Sequence, residues 1–263
     1  MKVQGAVVVV TGAARGIGRA LAERFAAEGP AGLVLVDRDE TALPEVAETT
    51  GGLRACADVS IESEVAAVVR NTVERYSRID LFCSNAGILV TGGVESPDAE
   101  WDRIWRVNLM SHVFVARALL PVAQRQGALR LLITASAAGL LTAPGAASYS
   151  VTKHAAVSLA EWLAITHAGD GLQVSCLCPQ FVDTDMVRTV EGPFRHWMMD
   201  GAIPVSHVAE TVMAGLSDER FLILPHPEVQ EYFQRKASDY DRWLAGMRRL
   251  IGKVTVPDHT SVD

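Results

Sequence analysis

Val7-Val8-Val9-Val10-Thr11-Gly12-Ala13-Ala14-Arg15-Gly16-Ile17-Gly18 decides the fold of this chain. The apolar run Ala6–Thr11 leads straight into a glycine-rich turn, and an amphipathic stretch at about 17–28 follows. Glycines permit a tight turn and let backbone N–H groups approach a pyrophosphate. The helix N-terminus then presents the favourable end of its dipole to the phosphates. The spacing is Gly-x-x-x-Gly-x-Gly rather than Gly-x-Gly-x-x-Gly, so this is a variant of the usual dinucleotide turn. A purely structural strand-to-helix turn is the bland alternative.

The same alternation continues outward. Further strands are expected at Leu33–Asp37, Leu53–Ala57, Asp80–Ser84, Leu129–Ala135, Gln173–Leu177 and Phe221–Leu224. These runs are Val/Leu/Ile-rich with little polar alternation, as in strands buried on both faces. Helical patterns lie between them at about 41–49, 61–76, 99–125, 147–167 and 206–216. Alternation of this kind predicts an α/β fold, a Rossmann-like doubly wound parallel sheet of seven strands. No repeat or linker divides the chain, so residues 1–251 read as one domain. One further amphipathic helix is expected at about 226–250, and 252–263 as a flexible tail.

Composition narrows the function. The chain has 263 residues and a net charge of −7, with no Lys/Arg block, which argues against a nucleic-acid surface. The apolar run near the start is too short for a membrane span or a signal segment, so a soluble cytoplasmic protein without membrane contact is expected. The four cysteines, Cys56, Cys83, Cys176 and Cys178, lie in strand-like stretches and read as small buried hydrophobes of a reducing compartment. Cys176 and Cys178 are expected to point their thiols apart, and no metal site is expected.

The second strand ends at Asp37, 19 residues after Gly18. A carboxylate there accepts hydrogen bonds from the adenosine ribose hydroxyls and repels a 2′-phosphate, favouring NAD over NADP. Arg15 and Arg38 argue the other way, since either could meet that phosphate. Farther along, Tyr149 and Lys153 stand four residues apart, on one face of a helix. A tyrosine has a reference pKa of about 10, and a neighbouring ammonium is expected to lower it. The spacing alone occurs by chance in many helices.

With these motifs in order, the chain resembles the short-chain dehydrogenase/reductase family in its single-domain form, over roughly residues 5 to 224. Thr11–Gly18, with Gly12, Gly16, Ile17 and Gly18, looks like the family's cofactor turn. Asp58-Val59 looks like the pair beside the adenine, and Asn85-Ala86-Gly87 like the motif after the fourth strand. Asn108, Ser136, Tyr149 and Lys153 match the catalytic tetrad, and Pro179 to Thr184, with Val182, matches the nicotinamide-contacting segment. The resemblance implies an oxidoreductase that moves a hydride between NAD(H) and a secondary alcohol or ketone. Tyr149 would serve as general acid/base, Lys153 would lower its pKa and hold the nicotinamide ribose, and Ser136 would bind the substrate oxygen. Asn108 would hold a water between Lys153 and solvent. The alternatives are an NADPH-dependent carbonyl reductase and a non-catalytic dinucleotide-binding protein on the same fold.

Two departures stand out. Gln180 replaces the glycine that usually follows the proline, and Phe221–Pro227 leads into a helix where a Gly-rich end is common. The altered end points to a homodimer, with a tetramer as the alternative; Trp101 with Trp105 and Leu159 with Leu163 mark the helices that the resemblance implies pair subunits. A substrate lid is expected at 186–204. Met186, Phe194 and Trp197, with Ala138, Leu140 and Gln180, are candidates to border an apolar pocket for a small-molecule alcohol or ketone. The final helix either packs on its own subunit or reaches across a dimer to a substrate mouth.

Overall fold

Seven strands, β1 (Val7–Thr11), β2 (Gly32–Asp37), β3 (Leu53–Cys56), β4 (Leu81–Ser84), β5 (Leu129–Thr134), β6 (Leu172–Leu177) and β7 (Leu222–Ile223), form one sheet of parallel neighbours in this computed structural model. The structure describes residues 1–191 and 193–255; the side chains of Pro193, Phe194 and Thr255 lie outside the described residues. The strand order is β3-β2-β1-β4-β5-β6-β7. Every expected strand is present, and its ends fall within one residue of expectation. Helices α1 (Gly16–Ala26), α2 (Leu43–Thr50), α3 (Glu62–Tyr76), α4 (Asp98–Trp105), α5 (Ser111–Gln126), α6 (Ala138–Leu141) and α7 (Ala147–Thr166) connect and flank the first six strands. After β6 come α8 (Asp185–Arg188), α9 (Pro193–Asp200) and α10 (Val205–Ser217), then β7, α11 (Glu228–Ser238) and α12 (Tyr240–Thr255).

Strand periodicity divides the core. Val9, Phe82, Leu131 and Ile133 face one layer with α3, α5 and α7, whereas Val8, Val10, Leu132 and Leu177 face the other with α1 and α10. Each such side chain, once buried, contributes about 1.5–3 kcal/mol relative to exposure. The exception is β3, whose residues are mostly exposed at the sheet edge rather than buried on both faces.

Three expectations need correction. The single helix at 99–125 is interrupted by a π turn over Arg106–Met110, centred on Asn108. The C-terminal helix expected at 226–250 is two helices, because Asp239 is extended (φ −156°, ψ 94°) and its Oδ1 accepts the Arg242 backbone N–H at 2.9 Å. The second helix continues to Thr255, into the stretch expected as a tail; 256–263 lie outside the described residues. The cysteine reading also changes: Cys56 is exposed, with its Sγ 3.2 Å from Glu40 Oε1. Residues two apart in a strand share a face, and the Cys176 and Cys178 sulfurs lie 3.8 Å from each other rather than apart.

The chain leaves β1 toward β2 on one side of the sheet, and β4 lies on the other side. Such a reversal opens a crevice at the carboxyl ends of the strands. The loops after β1, β4, β5 and β6 all end there.

Candidate active site

The crevice is a cavity of about 2050 Å³ that runs from the end of β2 to the C-terminal helices. At one end is the glycine turn. Gly12 has φ +67° and Gly16 φ +55°, a left-handed backbone that side chains disfavour. A Cβ on Gly12 would stand 2.9 Å from Ala86 Cα, so the turn is pressed against the loop after β4. Thr11 locks the two together: its Oγ1 accepts the N–H groups of Asn85 (2.9 Å) and Ala86 (3.1 Å), and Asn85 Nδ2 donates to Thr11 O at 3.0 Å. Gly18 does not line the cavity. It packs beneath the turn, where a Cβ would meet Gly12 O at 2.0 Å.

Asp37 borders the cavity and is already braced. Its Oδ2 accepts the Ala14 N–H at 3.0 Å, and its Oδ1 accepts the Asp39 N–H at 3.1 Å. Both arginines near it have acidic partners. Arg15 pairs with Asp39, and Arg38 lies 3.7 Å from Asp58 Oδ2. Backbone N–H groups of Ala42 and Thr41, then Arg15, hold the Asp39 carboxyl below its usual range. Arg15, Ile17, Arg38, Asp58, Val59, Asn85, Ala86 and Gly87 all line the cavity.

Ser136, Tyr149 and Lys153 meet farther along the same cavity. Ser136 sits after β5 and Tyr149 on the first turn of α7, which places both at the carboxyl edge of the sheet. The Ser136 hydroxyl is near enough to the Tyr149 phenol to favour its charged form, and the Lys153 ammonium is 5.7 Å from the Tyr149 ring centre. Ser136 Oγ also accepts the Ala138 N–H at 3.0 Å and donates to Pro179 O at 3.3 Å, tying the loop after β5 to that after β6. Lys153 is buried and donates to Thr134 O at 2.9 Å; burial pushes its pKa down to about 8. The expected lowering of the Tyr149 pKa does not hold in this chain by itself. Burial pushes the phenol up, and the Ser136 hydroxyl only partly opposes it.

Asn108 lies behind the cavity, fully buried. Its Oδ1 accepts the Ile88 N–H at 2.8 Å and its Nδ2 donates to Ile88 O at 2.9 Å. Both amide atoms therefore fasten the strand-like segment after Gly87, instead of standing free toward Lys153. The π turn around it is the kind of helix defect that gathers at functional sites.

Pro179, Val182 and Thr184 line the cavity opposite Tyr149, and Gln180 lines it as well. A histidine that sequence reasoning missed holds this segment. His226, 3% exposed, lies with Nδ1 3.2 Å from the Gln180 backbone N and Nε2 3.0 Å from Phe181 O. The backbone N–H must donate, so Nδ1 accepts and Nε2 carries the proton toward the carbonyl. The residue comes from the turn after β7, where the chain departs from the Gly-rich pattern. Among the substrate candidates, Ala138, Met186 and Trp197 line the cavity. Leu140 does not: it is buried in the core, and its carbonyl accepts the Lys236 ammonium at 2.6 Å. The side chain of Phe194 lies outside the described residues. Lys236 belongs to α11, so the C-terminal extension is bolted to the loop carrying Ser136, and Tyr232, Trp243, Met247 and Leu250 border the cavity of their own chain.

The fold and cavity define a dinucleotide-binding α/β protein with a hydroxyl-bearing pair beside a buried lysine. The family model for short chain dehydrogenase matches residues 6–193, and the chain belongs to that family. It is a family of oxidoreductases that bind a nicotinamide dinucleotide and include dehydrogenases acting on CH–OH groups. The chain is 34% identical to the CLA biosynthesis dehydrogenase/reductase of Lactiplantibacillus plantarum, covering 84% of this chain and 88% of that protein. It is 38% identical to meso-2,3-butanediol dehydrogenase of Serratia marcescens, over 72% of this chain and 76% of that one. A short-chain dehydrogenase/reductase of Burkholderia phymatum, solved with NAD, superposes with a TM-score of 0.84 at 30% identity, covering 92% and 96% of the two chains. Among the described residues, no helix is long and apolar enough to cross a membrane.

Proposed function

We propose that the protein is an NAD-dependent dehydrogenase, or a carbonyl reductase in reverse, for a hydrophobic secondary alcohol or ketone. The observation that carries this is the meeting of Ser136, Tyr149 and Lys153 along the same cavity that holds the bare glycine turn at one end. The bound dinucleotide supplies the hydride chemistry; the protein supplies position and proton handling. Gly12, Gly16 and the α1 N-terminus fit a pyrophosphate, because no Cβ stands between that backbone and the cavity. Asp37 and Asp58 flank the adenosine end. Arg15 and Arg38 are engaged with Asp39 and Asp58, so three carboxylates against two paired guanidiniums oppose a 2′-phosphate.

Tyr149 exchanges the proton of the substrate hydroxyl, and Ser136 hydrogen-bonds the same oxygen. Lys153, already poised near neutrality by burial, steadies the phenolate. Asn108 positions the Gly87–Ile88 backbone beside it. Exposed Trp105, Trp162 and Ile165 on α4 and α7 support pairing of subunits through those helices.

A panel of secondary alcohols with NAD at alkaline pH, followed by reduced-nicotinamide absorbance, tests the reaction. Fluorescence titration with NADH and NADPH tests the cofactor. Tyr149→Phe is expected to lower turnover by about 10²- to 10⁴-fold with NADH affinity kept. Turnover close to that of the unaltered enzyme, or tighter binding of NADPH than of NADH, contradicts the respective assignment.

A further inference from the structure

The cavity is larger than the roughly 300–1,000 Å³ usual for one small ligand, so it has room for a dinucleotide and a second sizeable molecule. The wall of that extra space is α12. Arg242, Trp243, Gly246, Met247, Arg249 and Leu250 line it, a helical face that mixes apolar bodies with two guanidiniums. Trp197 and Met198 of α9, which packs against α12, line the cavity as well.

Arg242 and Arg249 differ from the other arginines nearby. Arg235 pairs with Glu231, Arg103 with Glu100, and Arg188 with Asp183. Arg242 and Arg249, both exposed at the rim, have no acidic partner among the described residues. Arg249 also folds back along the cavity face: its Nη2 lies 3.8 Å from where a Cβ on Gly246 would stand. Helical side chains lean toward the N-terminus, so this brings the guanidinium toward Arg242, two turns earlier. Glu228 and Asp239 on the extension, and Glu191 and Asp200 near the lid, share the rim. Asp239 is taken up as the cap of α12, and none of the four forms a salt bridge with either arginine.

We propose that the substrate is an amphiphilic anion, with its apolar body against the cavity-facing residues of α9 and α12 and its anionic head, carboxylate or phosphate, held by Arg242 and Arg249. This rests on the dehydrogenase reading above and names its substrate class. Neither arginine lies within the stretch that matches the family model, so the preference belongs to this chain's own C-terminal extension.

The test uses the full chain and a series of hydroxy acids of fixed chain length, with the secondary hydroxyl at successive carbons. Their methyl esters and the matching phosphate monoesters complete the set. A charged hydrogen bond contributes about 1.5–3 kcal/mol, so the best acid or phosphate is expected to exceed its neutral counterpart by about 10- to 100-fold in kcat/KM. The gap should shrink with salt and close in the double variant Arg242→Gln/Arg249→Gln through KM, with kcat, ester turnover and NADH titration unchanged. The better of the two anionic arms names the head group. Equal turnover of acid, phosphate and ester, or a preference that survives in the variant, overturns the proposal. Tryptophan fluorescence with NADH present reads binding without turnover. If no compound turns over but the anions alone bind, and bind less in the variant, the subsite stands and the dehydrogenase reading fails. If neither turnover nor binding separates anion from ester, the subsite is refuted.

Discussion

Replacing His226 with phenylalanine keeps a ring in the same buried place and removes both nitrogens. The Gln180 N–H then loses its acceptor at 3.2 Å, and Phe181 O loses its donor at 3.0 Å. Each unpaired buried group costs about 1–3 kcal/mol, so even the low end sums to about 2 kcal/mol for the pair. If the segment stays in place, that cost appears as lost stability. If it moves to reach water, it drags Pro179 and Val182 from the cavity wall, and the same energy corresponds to about thirtyfold in KM for the cofactor. Proton binding should mimic the variant, because Nδ1 would turn from acceptor to donor against the Gln180 N–H. Burial holds the His226 pKa below its ordinary value of 6.5; Glu228, the Phe181 carbonyl and the Gly201 backbone oppose this, and His207 adds to it. A depressed histidine contributes fully above the unfolded pKa and loses that contribution as pH falls from about 6.5 through the folded value. The unaltered enzyme should therefore show an acid limb in kcat/KM for NADH that His226→Phe lacks. Steady-state kinetics at stepped pH and urea unfolding at neutral pH measure both effects. An unchanged KM, an unchanged unfolding midpoint and an acid limb retained in the variant would refute the brace.

Other outcomes follow from the same geometry. His112 is fully buried, bonded through Nδ1 to Ser84 Oγ at 2.6 Å, and burial, then Lys153, pushes its pKa down to about 3. Its folded pKa lies below the unfolded 6.5, so the folded state should lose about 2 kcal/mol between pH 7 and pH 5, and urea unfolding of His112→Asn should show a correspondingly shallower fall. Gly18→Ala places a methyl 2.0 Å from Gly12 O and 2.7 Å from Asn85 Nδ2. Thermal melts should show about 1–3 kcal/mol of lost stability, and NADH titration a weakened site; wild-type behaviour in both would mean that the turn tolerates expansion. Lys236→Met should leave NADH binding intact but raise KM for the alcohol, since the ammonium holds Leu140 O in the loop after Ser136. Equal KM values would limit Lys236 to a packing role.

What was legible in the sequence depended on local spacing. The glycine turn, Asp37 at the end of β2 and Ser136 just after β5 each lie within a few residues of a strand end, and parallel order brings them to one edge; the Tyr149–Lys153 step was legible instead from its helical spacing on α7. The misread parts depend on partners far away or on environment. A lysine four residues on signals charge but not the burial that raises the Tyr149 pKa. Gly18 is in the motif, yet its role is contact with Gly12 O rather than the cavity. The break in the C-terminal helix had a signal: Ser238-Asp239 before Tyr240 reads as an N-cap, but the apolar spacing runs through it and masks it. His226 and Lys236 had none, because their partners lie 45 or more residues away.

The glycine turn, Asp37 and Ser136 sit at strand ends that the fold itself positions. Helices α11 and α12 pack on the core through Val229, Tyr232 and Trp243, and two polar side chains tie the extension to cavity loops, His226 to the loop after β6 and Lys236 to the loop after β5. Each tie reaches a loop that lines the cavity, the one with Pro179, Val182 and Thr184 in one case and the one with Ser136 in the other. On the dehydrogenase reading, a change in the extension alters substrate choice and, through those two ties, the cofactor-facing segment in the case of His226 and the placement of Ser136 in the case of Lys236. Variants of α12 that leave His226 and Lys236 untouched should shift KM alone, whereas loss of either tie should move KM and kcat together.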